Sequence, residues 1–201
     1  MSNSSSKKRG LLLVISGPSG VGKTTITHYV EKHLDGIFSV SLTTRPPAEG
    51  DVNGQDYHFV GKEEFVRQRD AGELLEWAQV YEGCFYGTPR RPVEAAIEQG
   101  RLMILEIDVE GAVQIKEKMP EAMAIFVMPP SQRVLLERLR RRGRESEEVI
   151  QKRFAKACKE IVLAWESNAY DEFIINRDLN HAVEEAVMLV RQALAQRAVA
   201  S

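Results

Sequence analysis

Gly17-Pro18-Ser19-Gly20-Val21-Gly22-Lys23-Thr24 constrains this chain more than any other stretch, because it fits the pattern G-x-x-x-x-G-K-[ST]. In that pattern the glycines let successive backbone N–H groups turn inward around a phosphate, and the helix that follows points its positive end at the same anion. Lys23 is then placed to reach the β- and γ-phosphates of a nucleotide, and the Thr24 hydroxyl to ligate Mg²⁺. The flanks supply the required order of strand, loop and helix. Leu11 to Ile15 is an apolar run of strand length, and Ile26, Tyr29, Val30 and Leu34 follow at helical spacing. A glycine-rich turn that binds nothing would account for neither the lysine nor the hydroxyl after it.

The remaining composition excludes several classes of partner. With 27 Lys and Arg against 29 Asp and Glu, the net charge of −2 creates no field that calls for nucleic acid or a membrane surface. A chain of 201 residues suits one domain that buries a core without disulfides or a structural metal. Cys84 and Cys158 stand in no C-x-x-C or metal-ligand pattern, which fits two free thiols in a reducing cytoplasm. Residues 1–9 open like a signal peptide, but the apolar part ends after five residues in the glycine loop, so a disordered polar tail is expected. No apolar run approaches the length of a membrane span.

Along the chain, a second strand is expected over 37–42, and then the character changes. Residues 43–56 are polar and rich in Pro and Gly, too long for an idle connection in a compact domain, and such loops usually bind something. A short strand over 57–60, a helix over 62–71, and a hairpin from 74–81 and 84–88 follow. This strand-rich block interrupts the strand–helix alternation and reads as an inserted subdomain. Alternation resumes with a helix over 93–98 and an apolar strand over 102–108 that ends in carboxylates. There Asp108 has two readings: an acid beside the phosphate loop that holds the Mg²⁺ shell, or the cap of the next helix. A strand over 124–128, a helix from Ser131 to Arg142, another from about Ser146 to Trp165, a last strand over 173–175 and a last helix over 180–197 complete a three-layer α/β chain with a parallel sheet.

Arg138-Leu139-Arg140-Arg141-Arg142-Gly143-Arg144 closes one of these helices. Basic residues on a helix are ordinarily a solvated face, and they can also touch nucleic acid. Beside a triphosphate site, arginines on a helix–loop–helix with a glycine hinge fit a mobile lid that neutralises a transferring phosphoryl group, with Arg138, Arg142 and Arg153 as the candidates.

Taken together, these stretches resemble the guanylate kinase family from about residue 10 to 197. The resemblance is carried by Ser16 to Thr24, Ser41-Leu42-Thr43-Thr44-Arg45-Pro46, Gly50-Asp51-Val52-Asn53-Gly54-Gln55-Asp56-Tyr57, Leu75-Glu76-Trp77-Ala78, Tyr86-Gly87-Thr88, Leu105-Glu106-Ile107-Asp108 and Arg142-Gly143. It implies ATP-dependent phosphorylation of GMP or dGMP in a P-loop core (10–40, 89–130 and 160–198), a small strand-rich GMP-binding subdomain (41–88) and a helical lid (about 131–159). By the same resemblance, Ser41, Glu76, Thr88 and Asp108 meet the guanine, and Arg45, Tyr57 and Tyr86 hold the acceptor's phosphate. Gly17, Pro18, Ser19, Gly20, Val21, Gly22, Lys23 and Thr24 bind ATP, with Asn176 near its adenine. Lys23, Arg45, Arg138, Arg142 and Arg153 stabilise charge, and Mg²⁺ is held by Thr24 and, through water, by Asp108. The expected partners are ATP and GMP or dGMP, with no nucleic acid and no membrane, in a cytoplasmic monomer or homodimer.

Elementary chemistry agrees with that assignment. Guanine presents N1–H and N2–H donors, which a carboxylate such as Glu76 or Asp108 accepts, whereas adenine would set an acceptor against it. A phosphate monoester is already mostly ionised at neutral pH and needs no general base. Positioning and charge stabilisation therefore carry the reaction. Two residues depart from the family pattern: Ala48 stands where a second phosphate-gripping arginine is usual, with Arg90 or Arg91 as candidates to compensate, and Arg177 stands where an acid is usual. Tyr57 and Tyr86 could be cross-strand packing alone, Trp77 and Trp165 read as packing, and His28, His33, His58 and His181 show no ligand spacing. Two other readings compete, a non-catalytic guanylate-kinase-like binding module and a P-loop kinase of another small phosphate acceptor.

Overall fold

The computed structural model describes residues 9–81, 83–141 and 146–199. Its centre is β1 (Leu11–Ser16), in which every residue is buried. Leu11, Leu13 and Ile15 face one core with Ile26 and Val30, while Leu12 and Val14 face a second core with Val93, Ile97 and Ile115. A strand covered by helices on both faces has no solvent side, so its sequence is continuously apolar.

Around β1 lies a wholly parallel sheet formed with β2 (Ile37–Phe38), β7 (Leu102–Glu106), β8 (Met123–Met128) and β9 (Glu172–Ile175), in the order β2-β7-β1-β8-β9. The helices α1 (Lys23–Leu34) and α7 (Leu179–Val199) pack on each other over one face, and α3 (Arg90–Glu98) and α4 (Val109–Lys118) supply the other. Two more helices, α5 (Gln132–Arg141) and α6 (Glu147–Glu166), pack together, each opened by a serine side chain. Ser131 accepts from the Val134 N–H and Ser146 from the Val149 N–H, the hydroxyl caps expected at helix starts.

A second sheet is built entirely from the middle of the chain: β3 (Leu42–Thr43), β4 (His58–Phe59), β5 (Leu74–Tyr81) and β6 (Cys84–Pro89), in the order β4-β3-β6-β5. With α2 (Lys62–Asp70) it encloses its own small core, in which Phe65 is fully buried beside Leu42, Leu74 and the half-buried Trp77 and Phe85. The two sheets are joined at β5. Gln114 on α4 donates to the Trp77 carbonyl at 2.7 Å and accepts from the Trp77 N–H at 3.3 Å, and Lys118 donates to the Leu75 carbonyl at 2.6 Å.

The expected strand over 37–42 is in fact two. Ile37 and Phe38 pair with Met103 and Ile104 in the parallel sheet, whereas Leu42 and Thr43 pair with Gly87 and Tyr86 in the second. One apolar run therefore crosses from one sheet to the other, which its residue types do not signal. The strand expected over 102–108 ends at Glu106, because Asp108 opens α4. Trp77 packs as expected, 6.1 Å from Phe85 against the core of the second sheet, whereas Trp165 stacks on Phe173 at 4.0 Å but is itself exposed. Among the described residues no helix is long and apolar enough to cross a membrane.

Candidate active site

Parallel strands present the carboxyl ends of β1 and β7 at the same edge of the sheet, and this is where open α/β sheets bind ligands. β1 runs into the loop 17–22, and Gly22 caps α1 with a φ of 93°, a left-handed conformation that costs a glycine little. A Cβ at Gly22 would also lie 2.9 Å from the side-chain nitrogen of Asn176. Asn176 is buried and donates that nitrogen to the Val21 carbonyl at 2.7 Å, so it braces the loop from behind. Arg138 donates to the Asn176 backbone carbonyl at 2.9 Å, and Arg153 on α6 donates to the Ser19 hydroxyl at 2.9 Å. Lys23 donates to the Gly17 and Pro18 carbonyls at 2.6 and 3.1 Å.

Register then brings an acid to the loop. Ile15 lies opposite Glu106, and Thr24 donates its hydroxyl to Glu106 Oε1 at 2.9 Å. The carboxylate at the Thr24 hydroxyl is thus Glu106. Asp108 accepts from the Gly111 N–H at 2.8 Å and caps α4, while still lining the cleft. Both readings of Asp108 therefore place it at the same edge.

The far wall of the cleft, a cavity of about 370 Å³, comes from the second sheet. Glu76 on β5 is 3% exposed, and its Oε1 accepts from the buried Thr88 hydroxyl on β6 at 2.5 Å. Burial pushes its carboxyl up to about 7; the Thr88 hydrogen bond opposes that rise and the charge of Asp108 adds to it. The other oxygen, Oε2, is so close to α4 that a Cβ on Gly111 would stand 2.5 Å from it. Gly111 is therefore required by the carboxylate packed above it.

Ser41, Tyr57 and Tyr86 line the same cleft, with the tyrosine rings 5.6 Å apart edge to face, and burial raises both phenols. Arg45 lies over the Tyr57 ring at 5.3 Å and donates to Asp51 at 2.7 Å. Asp51 also accepts from the Ala48 N–H at 2.7 Å; that bond, followed by the one from Arg45, holds its carboxyl below the usual range.

The structure thus brings the loop, Thr24, Ser41, Tyr57, Glu76, Tyr86, Asp108 and Arg153 to one cleft. Thr88 and Arg45 stand directly behind it through Glu76 and Tyr57. Arg138 and Asn176 act on the loop from its other side, and Arg142 lies outside the described residues. Neither Arg90 nor Arg91 is among the cleft-lining residues; Arg90 is bonded to the Gly72 and Leu74 carbonyls and to Glu94. Sequence reasoning singled out no role for Glu106, Gly111, Lys156 or Glu160. Glu106 was within reach, since strand alternation puts it on the same side as Asp108. Lys156 and Glu160 follow Arg153 at helical spacing and line the cleft with it.

Comparison with known proteins agrees with this geometry. The profile of the guanylate kinase family matches residues 9–193. The chain is 43% identical over 185 residues to the guanylate kinase of Rhodococcus jostii, covering 91% of this chain and 88% of that one. It is 48% identical over 183 residues to the guanylate kinase of Synechocystis, covering 90% and 94%. Among solved structures, the guanylate kinase of Anaplasma phagocytophilum is similar with a TM-score of 0.76 at 34% identity, covering 92% of this chain and 87% of that one.

Proposed function

The chain belongs to the guanylate kinase family and is an ATP-dependent kinase of GMP; within that activity we propose which residues read the acceptor and which stabilise the transfer. The observation that carries the reading is the buried Glu76–Thr88 pair facing the phosphate loop across the cleft. Glu76, with Asp108 and Ser41 beside it, accepts the N1–H and N2–H donors of guanine, and Thr88 fixes the Glu76 rotamer. Against AMP the same carboxylate meets an acceptor, and each good base-edge pair is worth about 1–3 kcal/mol of discrimination. Arg45, Tyr57 and Tyr86 hold the acceptor's phosphate. None of these residues is assigned to the ribose 2′-hydroxyl, so the reading extends to dGMP.

A phosphate oxygen of GMP attacks the γ-phosphorus of ATP in line; the new O–P bond forms as the bond to the β-phosphate oxygen breaks, releasing ADP. Lys23 and the loop N–H groups bind the donor phosphates, Arg153 approaches from α6, and Arg138 and Asn176 keep the loop in place beside the donor's adenine. Arg142 is assigned to the same lid, 131–159, on its motif. Thr24 and Glu106 are hard oxygen ligands, and among the described residues no cluster of three or more His, Cys, Asp or Glu would hold an ion alone. That donor set, with Asp108 through water, fits Mg²⁺ arriving on nucleotide phosphates, where it neutralises charge as the phosphoryl group moves. A cytoplasmic enzyme, monomeric or homodimeric, without nucleic-acid or membrane partners, is consistent with this chemistry.

The test is ADP release with MgATP and GMP, dGMP, IMP, AMP, CMP or UMP. The reading expects turnover with GMP and dGMP and none of consequence with AMP, CMP or UMP. Comparable turnover with AMP would overturn the assignment of Glu76.

A further inference from the structure

The acceptor's phosphate carries about −1.5 to −2 charges at neutral pH. On the acceptor side, Arg45 is the cation that the loop 43–56 brings towards Tyr57, and its guanidinium is paired with Asp51 at 2.7 Å. Residue 48 is an alanine whose N–H is bonded to the same Asp51 carboxylate. The wall formed by this loop therefore brings a single cation, Arg45, to a dianion.

The opposite wall supplies one. Lys156 lies on α6 one turn beyond Arg153, on the same helix face, where side chains stand about 5–6 Å apart. The two cations take opposite ends of the cleft: Arg153 donates to Ser19 of the phosphate loop, and Lys156 donates across the cleft to the Val80 carbonyl of β5 at 2.6 Å. Val80 is two residues along β5 from Ala78, the partner of Tyr86 in the sheet, a separation of about 7 Å. Val80, Ala78, Tyr86 and Lys156 all line the cleft. Glu160, one further turn along α6 and 18% exposed, stands 3.7 Å from the Lys156 ammonium and keeps it on this face. Burial raises the Glu160 carboxyl, and the charges of Lys156 and Lys23 oppose that rise.

We propose that Lys156 is a second cationic contact for the acceptor's phosphate, supplied across the cleft from α6 where Ala48 supplies none. This rests on the reading of the cleft as a GMP site. Lys156 and Arg153 then flank the path of the phosphoryl group from one rigid helix, the first on the acceptor phosphate and the second on the donor loop. Glu160 acts as a positioning residue.

Calorimetric binding of GMP and of guanosine, which shares the base and lacks the phosphate, to the full chain and to Lys156→Met, Lys156→Arg and Lys156→Met/Ala48→Arg tests this. The expectation is a loss of about tenfold in GMP affinity for Lys156→Met, with guanosine unchanged. Lys156→Arg retains GMP binding, and Ala48→Arg restores most of what Lys156→Met loses. Equal losses for GMP and guanosine would make Lys156 a structural residue, and unchanged GMP affinity would remove it from the site; either overturns the proposal. If the unmodified chain phosphorylates GMP while Lys156→Met binds it normally, only this inference fails. If the unmodified chain does not phosphorylate GMP, the underlying reading fails with it.

Discussion

The donor end and the acceptor end of the cleft are built by opposite means. At the donor end one contiguous loop aims backbone groups at a phosphate, and Asn176 braces it from behind through the Val21 carbonyl while Arg153 bonds Ser19. At the acceptor end the lining is scattered along the chain: Ser41 and Tyr57 immediately precede β3 and β4, Glu76 and Tyr86 lie on β5 and β6, and Asp108 caps α4 in the parallel core. In the function proposed above, a polyanion common to all nucleoside triphosphates would be met by backbone geometry, which is indifferent to the base. One particular base would be met by a buried carboxylate, which requires several elements to pack correctly around it. Generic binding is thus local in the chain, and specific binding is dispersed.

If this division holds, substitutions at the two ends should fail differently. Lys23→Ala removes one donor-side cation and should lower kcat about 100- to 1000-fold, with GMP affinity nearly unchanged by calorimetry. A comparable loss of GMP affinity would mean that the ends are not separable.

Next in size is a stability effect at the acceptor end. Glu76 titrates near 7 in the fold against about 4.5 as a free side chain, so ionising it costs more in the fold than in the unfolded chain. The protonated group's stabilising effect is complete below the unfolded value and is lost as pH rises through 7, a difference of about 3 kcal/mol. Glu76→Gln should therefore raise the unfolding temperature at pH 8, with the gain shrinking towards zero near pH 4.5, while GMP turnover falls sharply. A pH-independent change would place the cause in packing instead.

Gly111→Ala is a smaller and more local probe. Its Cβ would lie 2.5 Å from Glu76 Oε2, so the carboxylate must shift. The expected result is a rise of about tenfold in KM for GMP with KM for ATP unchanged, and a loss of about 1–3 kcal/mol in stability. An equal rise in both KM values would show that α4 serves the whole cleft rather than its acceptor wall.

The same contrast explains what the sequence makes legible. The phosphate loop is readable because its chemistry lies in consecutive residues whose flanks, Leu11 to Ile15 and Ile26 to Leu34, declare a strand and a helix. The inserted subdomain is readable as a break in alternation, and its residues fall in the second sheet. The crossing at residues 39–41 is not, because an apolar run does not state which sheet its halves join. Glu76 is selected by resemblance and by the chemistry of guanine, but its burial and its bond to Thr88 depend on β5–β6 register. Glu106 and Asp108 look alike in the sequence, and the register with Ile15 is what brings the first of them to Thr24. Gly111 carries no local signal at all, since what forbids a side chain there is a residue 35 positions away in sequence.

The claim that a buried carboxylate reads the acceptor while the donor end ignores it is tested most directly by GMP affinity between pH 8 and pH 5.5, in the unmodified chain and in Glu76→Gln. The GMP phosphate titrates near 6 in both cases, so the difference between the two proteins isolates Glu76. The account predicts that the unmodified chain loses affinity as pH falls through about 7, more steeply than Glu76→Gln, while ATP affinity follows the same course in both. Parallel GMP profiles for the two proteins would contradict it.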